Sequence, residues 1–223
     1  MKPILVFDVN ETLLDVRAMS TGFEETFGDS TLLGEWFSTL LRYSLEVSVT
    51  GDYRPFDELA RGALAMTAAR HGHDPSPETV ASVIGTMSEL PAHPDVAECL
   101  ANLRDAGFTL ITLTNSRGEV VRDQLNFAGI AEHFDRMLSV ETVRAFKPSP
   151  GTYEFAAETM GVAIGDLMLV AAHDWDVNGA LLAGAQAAFV ERAGATRAPH
   201  DQFPPLEGPD LVSLSAQIID AYP

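Results

Sequence analysis

Short apolar runs alternate with segments of helical periodicity along most of this chain, and no other feature restricts the fold as much. The run K-P-I-L-V-F-D (2–8) is too short and too continuously apolar for a helix and reads as a strand buried on both faces. Similar runs follow at F-T-L-I-T-L-T-N (108–115), near 136–140, at L-M-L-V-A-A (167–172) and at A-A-F-V (187–190). Between them, apolar residues recur at three- and four-residue intervals. They predict helices over 95–105, about 120–127, about 150–160 and about 176–184, with a final helix over 213–221. Strands separated by helices imply a parallel sheet with right-handed crossovers, a doubly wound, Rossmann-like α/β core. Pro, Gly and charge concentrate over 193–209, which reads as loop.

One long stretch breaks the alternation. From Asp15 to about Leu90 helical spacing dominates, as in L-L-G-E-W-F-S-T-L-L-R-Y and F-D-E-L-A-R-G-A-L-A-M, with breaks at Gly51 and around 74–77. A helical domain over 15–91, inserted into an α/β domain made of 1–14 and 92–223, is therefore expected. A chain of 223 residues, 46% of them hydrophobic, can bury one large core and a smaller insert. The charge of -18, from 32 acids against 14 bases, argues against a nucleic-acid or anionic-membrane partner, because phosphate contacts need Lys and Arg. An anionic substrate would need local positive charge. The single cysteine, Cys99, lies in a helical apolar pattern and reads as an inert buried thiol. No signal peptide precedes the first strand, and no apolar run approaches the roughly 18 residues of a membrane span. A cytoplasmic protein without a membrane partner is expected.

Open α/β sheets bind ligands beyond the carboxyl ends of their strands. Asp8 ends the first strand, with Asn10 and Thr12 close behind; Thr114-Asn115-Ser116 end the second; Lys147 follows the third; His173-Asp174-Trp175-Asp176 follow the fourth. Each has an ordinary reading alone, since Asp or Asn after a strand commonly caps the next helix and F-K-P can be a surface turn. Four in the right order describe a site.

These segments carry a resemblance. D-V-N-E-T-L-L-D, L-T-N-S, F-K-P-S-P and A-A-H-D-W-D-V-N-G-A resemble, in that order, the four motifs of the haloacid dehalogenase superfamily and, within it, of the type II (S)-2-haloacid dehalogenases. The match spans nearly the whole chain, and it implies that the helical insert is a cap over the nucleophile. It further implies attack by Asp8 on C2 of a small haloacid with inversion, hydrolysis of the resulting ester to a 2-hydroxy acid, and no metal or other cofactor. Members commonly pair through the cap, which leaves a homodimer open.

The residues sharpen that reading. Phosphatases of the superfamily place a second aspartate two residues after the nucleophile, because an alkoxide leaving group must be protonated. This chain has Asn10, which cannot supply that proton, whereas a halide needs none. Lys147 is the cation expected to keep Asp8 ionised, and Thr12 a hydrogen-bonding partner for it. The backbone N–H groups of Val9, Asn10 and Glu11, with Thr114 and Asn115, are expected to seat a substrate carboxylate. Two departures from the family stand out. Phe37 replaces the arginine that follows the cap tryptophan and is assigned to the departing halide, so Asn10, Phe37, Ser38, Leu41 and Trp175 are candidates to line the pocket, with Arg17 or Arg42 as sources of charge. His173 and Ala171 replace an asparagine and a serine that position water. An imidazole of near-neutral pKa there can accept a proton from water, oriented by Asp176 or Glu11. A Mg-dependent phosphohydrolase using Asp8, Asp174 and Asp176 is the rival reading, and a non-catalytic binding protein is a third.

Overall fold

The computed structural model describes residues 2–202 and 204–223. Its centre is a six-stranded parallel sheet of β1 (Ile4–Phe7), β2 (Leu110–Thr114), β3 (Arg136–Ser139), β4 (Leu167–Ala171), β5 (Gln186–Val190) and β6 (Leu206–Gly208), in the order β3-β2-β1-β4-β5-β6. In β2 and β4 every residue is buried, which is why these strands read as unbroken apolar runs. Leu5 of β1 pairs with Leu110 on one side and Met168 on the other. The strand order reverses between β1 and β4, and their carboxyl ends form the crevice in which such sheets bind ligands.

Four α-helices, α1 (Ser20–Phe27), α2 (Leu32–Thr50), α3 (Phe56–Arg70) and α4 (Pro77–Gly85), make up the insertion that follows β1. They enclose Trp36, which packs at a tilt against Phe23 and donates its indole N–H to Ala60 O at 3.0 Å. Helix α4 starts where its sequence says it should. The Ser76 hydroxyl accepts from Thr79 N, and Pro77 occupies the first turn, where its missing N–H costs nothing. The two chain crossings into and out of the insertion pair with each other, Asp15 N to Pro91 O and His93 N to Leu13 O. The insertion lies over the carboxyl ends of the sheet, with Ser48 Oγ accepting from Phe146 N and Phe56 packed on the Phe146 ring.

The remaining helices are α5 (Val96–Asp105), α6 (Gly118–Phe127), α7 (Pro150–Met160), α8 (Asp174–Leu182) and α9 (Leu211–Ala221). Helices α6 and α9 begin two residues before the sequence reading, at Gly118 and Leu211, and two further elements differ from it. The segment expected to be loop over 193–209 contains the edge strand β6, whose three residues are too few to show alternation. Helix α8 begins at Asp174 rather than near 176, so Asp174 and Asp176 occupy its first turn, where the helix dipole favours acids. Cys99 is buried, and burial pushes its thiol up to about 12, consistent with an inert side chain. Among the described residues no helix is long and apolar enough to cross a membrane.

Gly179 sets how closely α8 approaches the segment carrying Lys147. A Cβ at this position would lie 2.3 Å from Pro148 Cβ and 2.8 Å from the Tyr153 hydroxyl. Gly179→Ala should therefore destabilise the protein by about 1–3 kcal/mol through overpacking, measured as a lower urea midpoint at unchanged m-value.

Candidate active site

Asp8 lies one residue past β1, its N–H donating to Val170 O at 3.1 Å, which fixes the carboxylate at the switch point of the sheet. Lys147 Nζ donates to Asp8 Oδ1 at 2.8 Å, and Thr12 Oγ1 donates to Asp8 Oδ2 at 2.7 Å. The Thr12 hydroxyl itself accepts from Ala172 N at 3.0 Å, so its proton is directed at Asp8. Lys147, 1% exposed, reaches on to Asp176 Oδ2 at 2.6 Å. The other Asp176 oxygen accepts from the Tyr153 hydroxyl at 2.6 Å. The backbone of Lys147 is held too, its N–H donating to Asn115 Oδ1 at 3.0 Å.

Burial alone would raise the Asp8 carboxyl, but Lys147 and His173 outweigh it and hold Asp8 well below the usual carboxylate range. Burial opposes the charge on Lys147 as well, and Asp176 and Asp8 more than restore it. Asp176 moves the other way, raised mainly by burial and only partly relieved by Lys147. The cluster thus presents one strongly ionised carboxylate, Asp8, to the crevice.

His173 is the second cation. Its Nδ1 lies 3.2 Å from Asp8 Oδ2 and its Nε2 2.7 Å from Glu11 Oε2. Burial disfavours the charged ring, yet the hydrogen bonds to two carboxylates raise its pKa to about 10. The imidazole of near-neutral pKa expected from the sequence is thus an imidazolium in this state, because both ring nitrogens donate to acids. Its ring stacks on Trp175 at a centroid distance of 4.9 Å and on Phe37 at 6.3 Å, interplanar angles 25° and 24°. Glu11 reaches the ring because its backbone takes a left-handed φ of 63°, uncommon outside glycine, pinned by His93 Nε2 donating to Glu11 O at 3.2 Å.

Of the two acids named as orienters of His173, Glu11 fills that place, and Asp176 serves Lys147 and Tyr153 instead. The Glu11 N–H donates to Leu14 O at 2.8 Å and is lost as an anion donor, which corrects the expected three-amide seat. Val9 is fully buried, and its carbonyl accepts from Leu13 N and Leu14 N. Asn10 is gripped on both sides: its Nδ2 donates to Ser116 Oγ at 3.2 Å and its Oδ1 accepts from Gln124 Nε2 at 3.1 Å. Thr114 is buried, and its hydroxyl oxygen accepts from Ser116 N at 3.1 Å, which shapes the turn after β2.

Ser38 and Leu41 border two clefts on either side of α2. One, of about 310 Å³, also meets Arg42, Leu45, Lys147 and Trp175; the other, of about 360 Å³, meets Glu11, Arg17 and Phe37. Arg17 is paired with Asp15 at 2.8 Å, whereas the Arg42 guanidinium lies over the Tyr43 ring at the mouth of the first cleft. The acids of the rival Mg reading have these partners. Asp8 and Asp176 share Lys147 Nζ, and Asp174 accepts from Trp175 N and Ala198 N. Sequence reasoning missed Tyr153 and Gln124. Both look like helix-face residues, and their polar atoms are assigned only by packing.

These geometries, a strand-end carboxylate, a lysine shared with a second acid and a helical insertion overhead, define a hydrolase of the haloacid dehalogenase type. The chain belongs to the haloacid dehalogenase-like hydrolases, whose family model matches residues 3–184. Its relatives include the (S)-2-haloacid dehalogenase H-109 of Pseudomonas putida, 28% identical over 99% of this chain and 100% of the relative. The (S)-2-haloacid dehalogenase of Xanthobacter autotrophicus is 31% identical over 84% of this chain and 74% of its own length. Among solved structures, the L-2-haloacid dehalogenase from Xanthobacter autotrophicus with chloropropionic acid covalently bound superposes with a TM-score of 0.92, at 26% identity over 98% of both chains.

The two shifted groups act on stability in opposite pH ranges. The contribution of His173, raised from 6.5 to about 10, is complete below the lower value and is lost as pH rises through the upper. That of Asp8, lowered from 3.8, is complete above that value and is lost as pH falls through its depressed one. Thermal unfolding between pH 2 and 10 should show Tm falling above about pH 7, and His173→Gln should flatten that limb and also weaken the acid limb, because His173 helps to hold the Asp8 carboxyl down.

Proposed function

We propose that this protein hydrolyses short (S)-2-haloalkanoic acids to 2-hydroxy acids through an ester on Asp8. One observation carries the reading: Asp8 is held ionised by a buried lysine, while Asn10, two residues on, has both ends of its amide occupied and cannot act as an acid. Such a site can displace a leaving group that needs no proton, and a halide is one. The names of the Pseudomonas putida and Xanthobacter autotrophicus relatives support the same substrate class.

In this reading residues 15–91 form a cap domain over a core of 1–14 and 92–223. The anionic substrate enters beside Arg42, whose charge offsets the net -18 of the chain, and passes Leu41 and Trp175 toward Lys147. Its carboxylate is seated by the Val9 and Asn10 amides and Asn115 Nδ2. Lys147 and Thr12 hold Asp8 while one of its oxygens attacks C2 from the side opposite the halide, so that the new C–O bond forms as the carbon–halogen bond breaks. The halide leaves past Phe37, where polarisable aromatic surface stands in place of a cation. Water then attacks the Asp8 carbonyl carbon, with His173 as base and Glu11 fixing its ring. Exposed Leu45, Val49 and Met66 on α2 and α3 offer apolar surface for a second copy of the chain.

The decisive measurement is halide release from both enantiomers of 2-chloropropionate, with and without EDTA. Release from the S enantiomer, unaffected by the chelator, is expected, and Asp8→Asn should abolish it. His173→Gln should lower kcat by about 100- to 10,000-fold and accumulate a mass adduct on the Asp8 peptide. Loss of activity on chelation would favour the phosphohydrolase reading.

A further inference from the structure

A cleft of about 400 Å³ opens on the core side of the site, away from the clefts beside α2, and it is lined by both His173 and Glu11. Its rim is residues 193–196, which follow β5, and its wall includes Asp174 and Arg192. Arg192 is already neutralised, donating to Asp95 Oδ2 at 2.8 Å and to Thr12 O at 2.8 Å. Asp174 is tied to the amides of Trp175 and Ala198. Glu11 is the acid that both contacts His173 and lines this cleft. Its side chain is 40% exposed against 13% for His173 and 7% for Asp8. The wetness of the site thus rises along the line Asp8, His173, Glu11.

Resting on the haloacid reading above, proton balance gives that line a task. Alkylation consumes no proton and releases none: the carboxylate becomes an ester, the halide departs, and His173 is still an imidazolium. It cannot accept a proton from water until it has lost its own. The ester has meanwhile removed the Asp8 charge that held that proton. We propose that, between the two half-reactions, the His173–Glu11 pair exports one proton from the closed site into the core-side cleft, Nε2 passing it to Glu11 and Glu11 to water. With Glu11 again a carboxylate and Asp8 an ester, the remaining ring proton moves by exchange to Nε2, the tautomer that Glu11 holds, and the freed Nδ1 then takes a proton from the attacking water as the hydroxide oxygen bonds to the Asp8 carbonyl carbon. The tetrahedral adduct collapses with departure of the alkoxide, which receives that proton from His173. The remaining Asp8 carboxylic acid returns its proton to His173 and restores the resting ion pair. Per turnover the balance is one haloacid and one water in, one hydroxy acid, one halide and one exported proton out.

The path is distinct from substrate entry. Glu11 also borders the 360 Å³ cleft under α2, but among the described residues His173 is not part of that lining. Exchange through the core-side cleft therefore needs no opening of the helical insertion.

Glu11→Gln keeps a hydrogen bond to Nε2 and cannot carry the proton. Single-turnover reactions with (S)-2-chloropropionate, followed by halide release, ester mass and a pH indicator in weak buffer, should separate the steps. In the parent, the proton should appear after the halide and before the ester decays. In Glu11→Gln the halide burst should persist while ester decay slows at least tenfold, and imidazole buffer should restore the rate. Adding the exposed-rim change Ala193→Trp to Glu11→Gln should suppress that rescue. Ester decay at the parent rate in Glu11→Gln, slowing that imidazole does not relieve, or rescue undiminished by Ala193→Trp would each overturn the relay. Absence of both halide and ester in the parent would overturn the haloacid reading itself.

Discussion

A lysine ammonium buried between two buried carboxylates is the interaction on which the rest of this structure depends. Removing such a charge from water costs several kcal/mol per ion, and the cost is offset only where every neighbouring polar atom is engaged. The surroundings meet that demand from separate parts of the chain: Asp8 from the end of β1, Asp176 from the first turn of α8, Tyr153 from α7, and Asn115 from the end of β2 to hold the backbone of Lys147. The strand order that places β1 between β2 and β4 brings these segments to one point. The close approach of α8 at Gly179 completes it by admitting Pro148 and Tyr153.

The second cation, His173, differs from Lys147 in permanence. Lys147 faces two acids, one of which, Asp176, never reacts in the proposed cycle. One of the two carboxylates that support the imidazolium is the one that becomes an ester, so its charge depends on the chemical state of the nucleophile. Aromatic surface from Trp175 and Phe37 keeps the ring in place through that change. Phe37 thereby links the two departures from the family pattern. A cation at that position would stand beside an imidazolium, whereas an aromatic ring can stack on one.

Much of the fold was legible because parallel strands covered on both faces must be continuously apolar, and the intervening helices must be amphipathic. The legibility failed where this physics weakens. Strand β6 is three residues at a sheet edge and carries no pattern, and the start of α8 hid behind two acids that read equally as loop ligands. In the site, Asp8, Asn10, Lys147, His173 and Asp176 stood out as polar groups immediately after apolar runs. Glu11 was visible as a nearby acid, but its contact with His173, 162 residues away, depends on a left-handed turn that residue type alone does not announce. Tyr153 and Gln124 occupy helix positions where the same residues would serve as ordinary packing, and the fit of α7 against α8 and of α6 against the β1 loop decides what their polar atoms touch.

By itself, the sequence determined which chemical groups arrive at the carboxyl edge of the sheet and in what order, because strand periodicity fixes where each run must end. It also determined that no acid follows the nucleophile at Asn10. Only the tertiary structure decided the protonation state of those groups. The charge on an imidazole depends on its distance to two carboxylates and on how much water reaches all three, and both quantities exist only once β1, β4 and the helical insertion have closed around them.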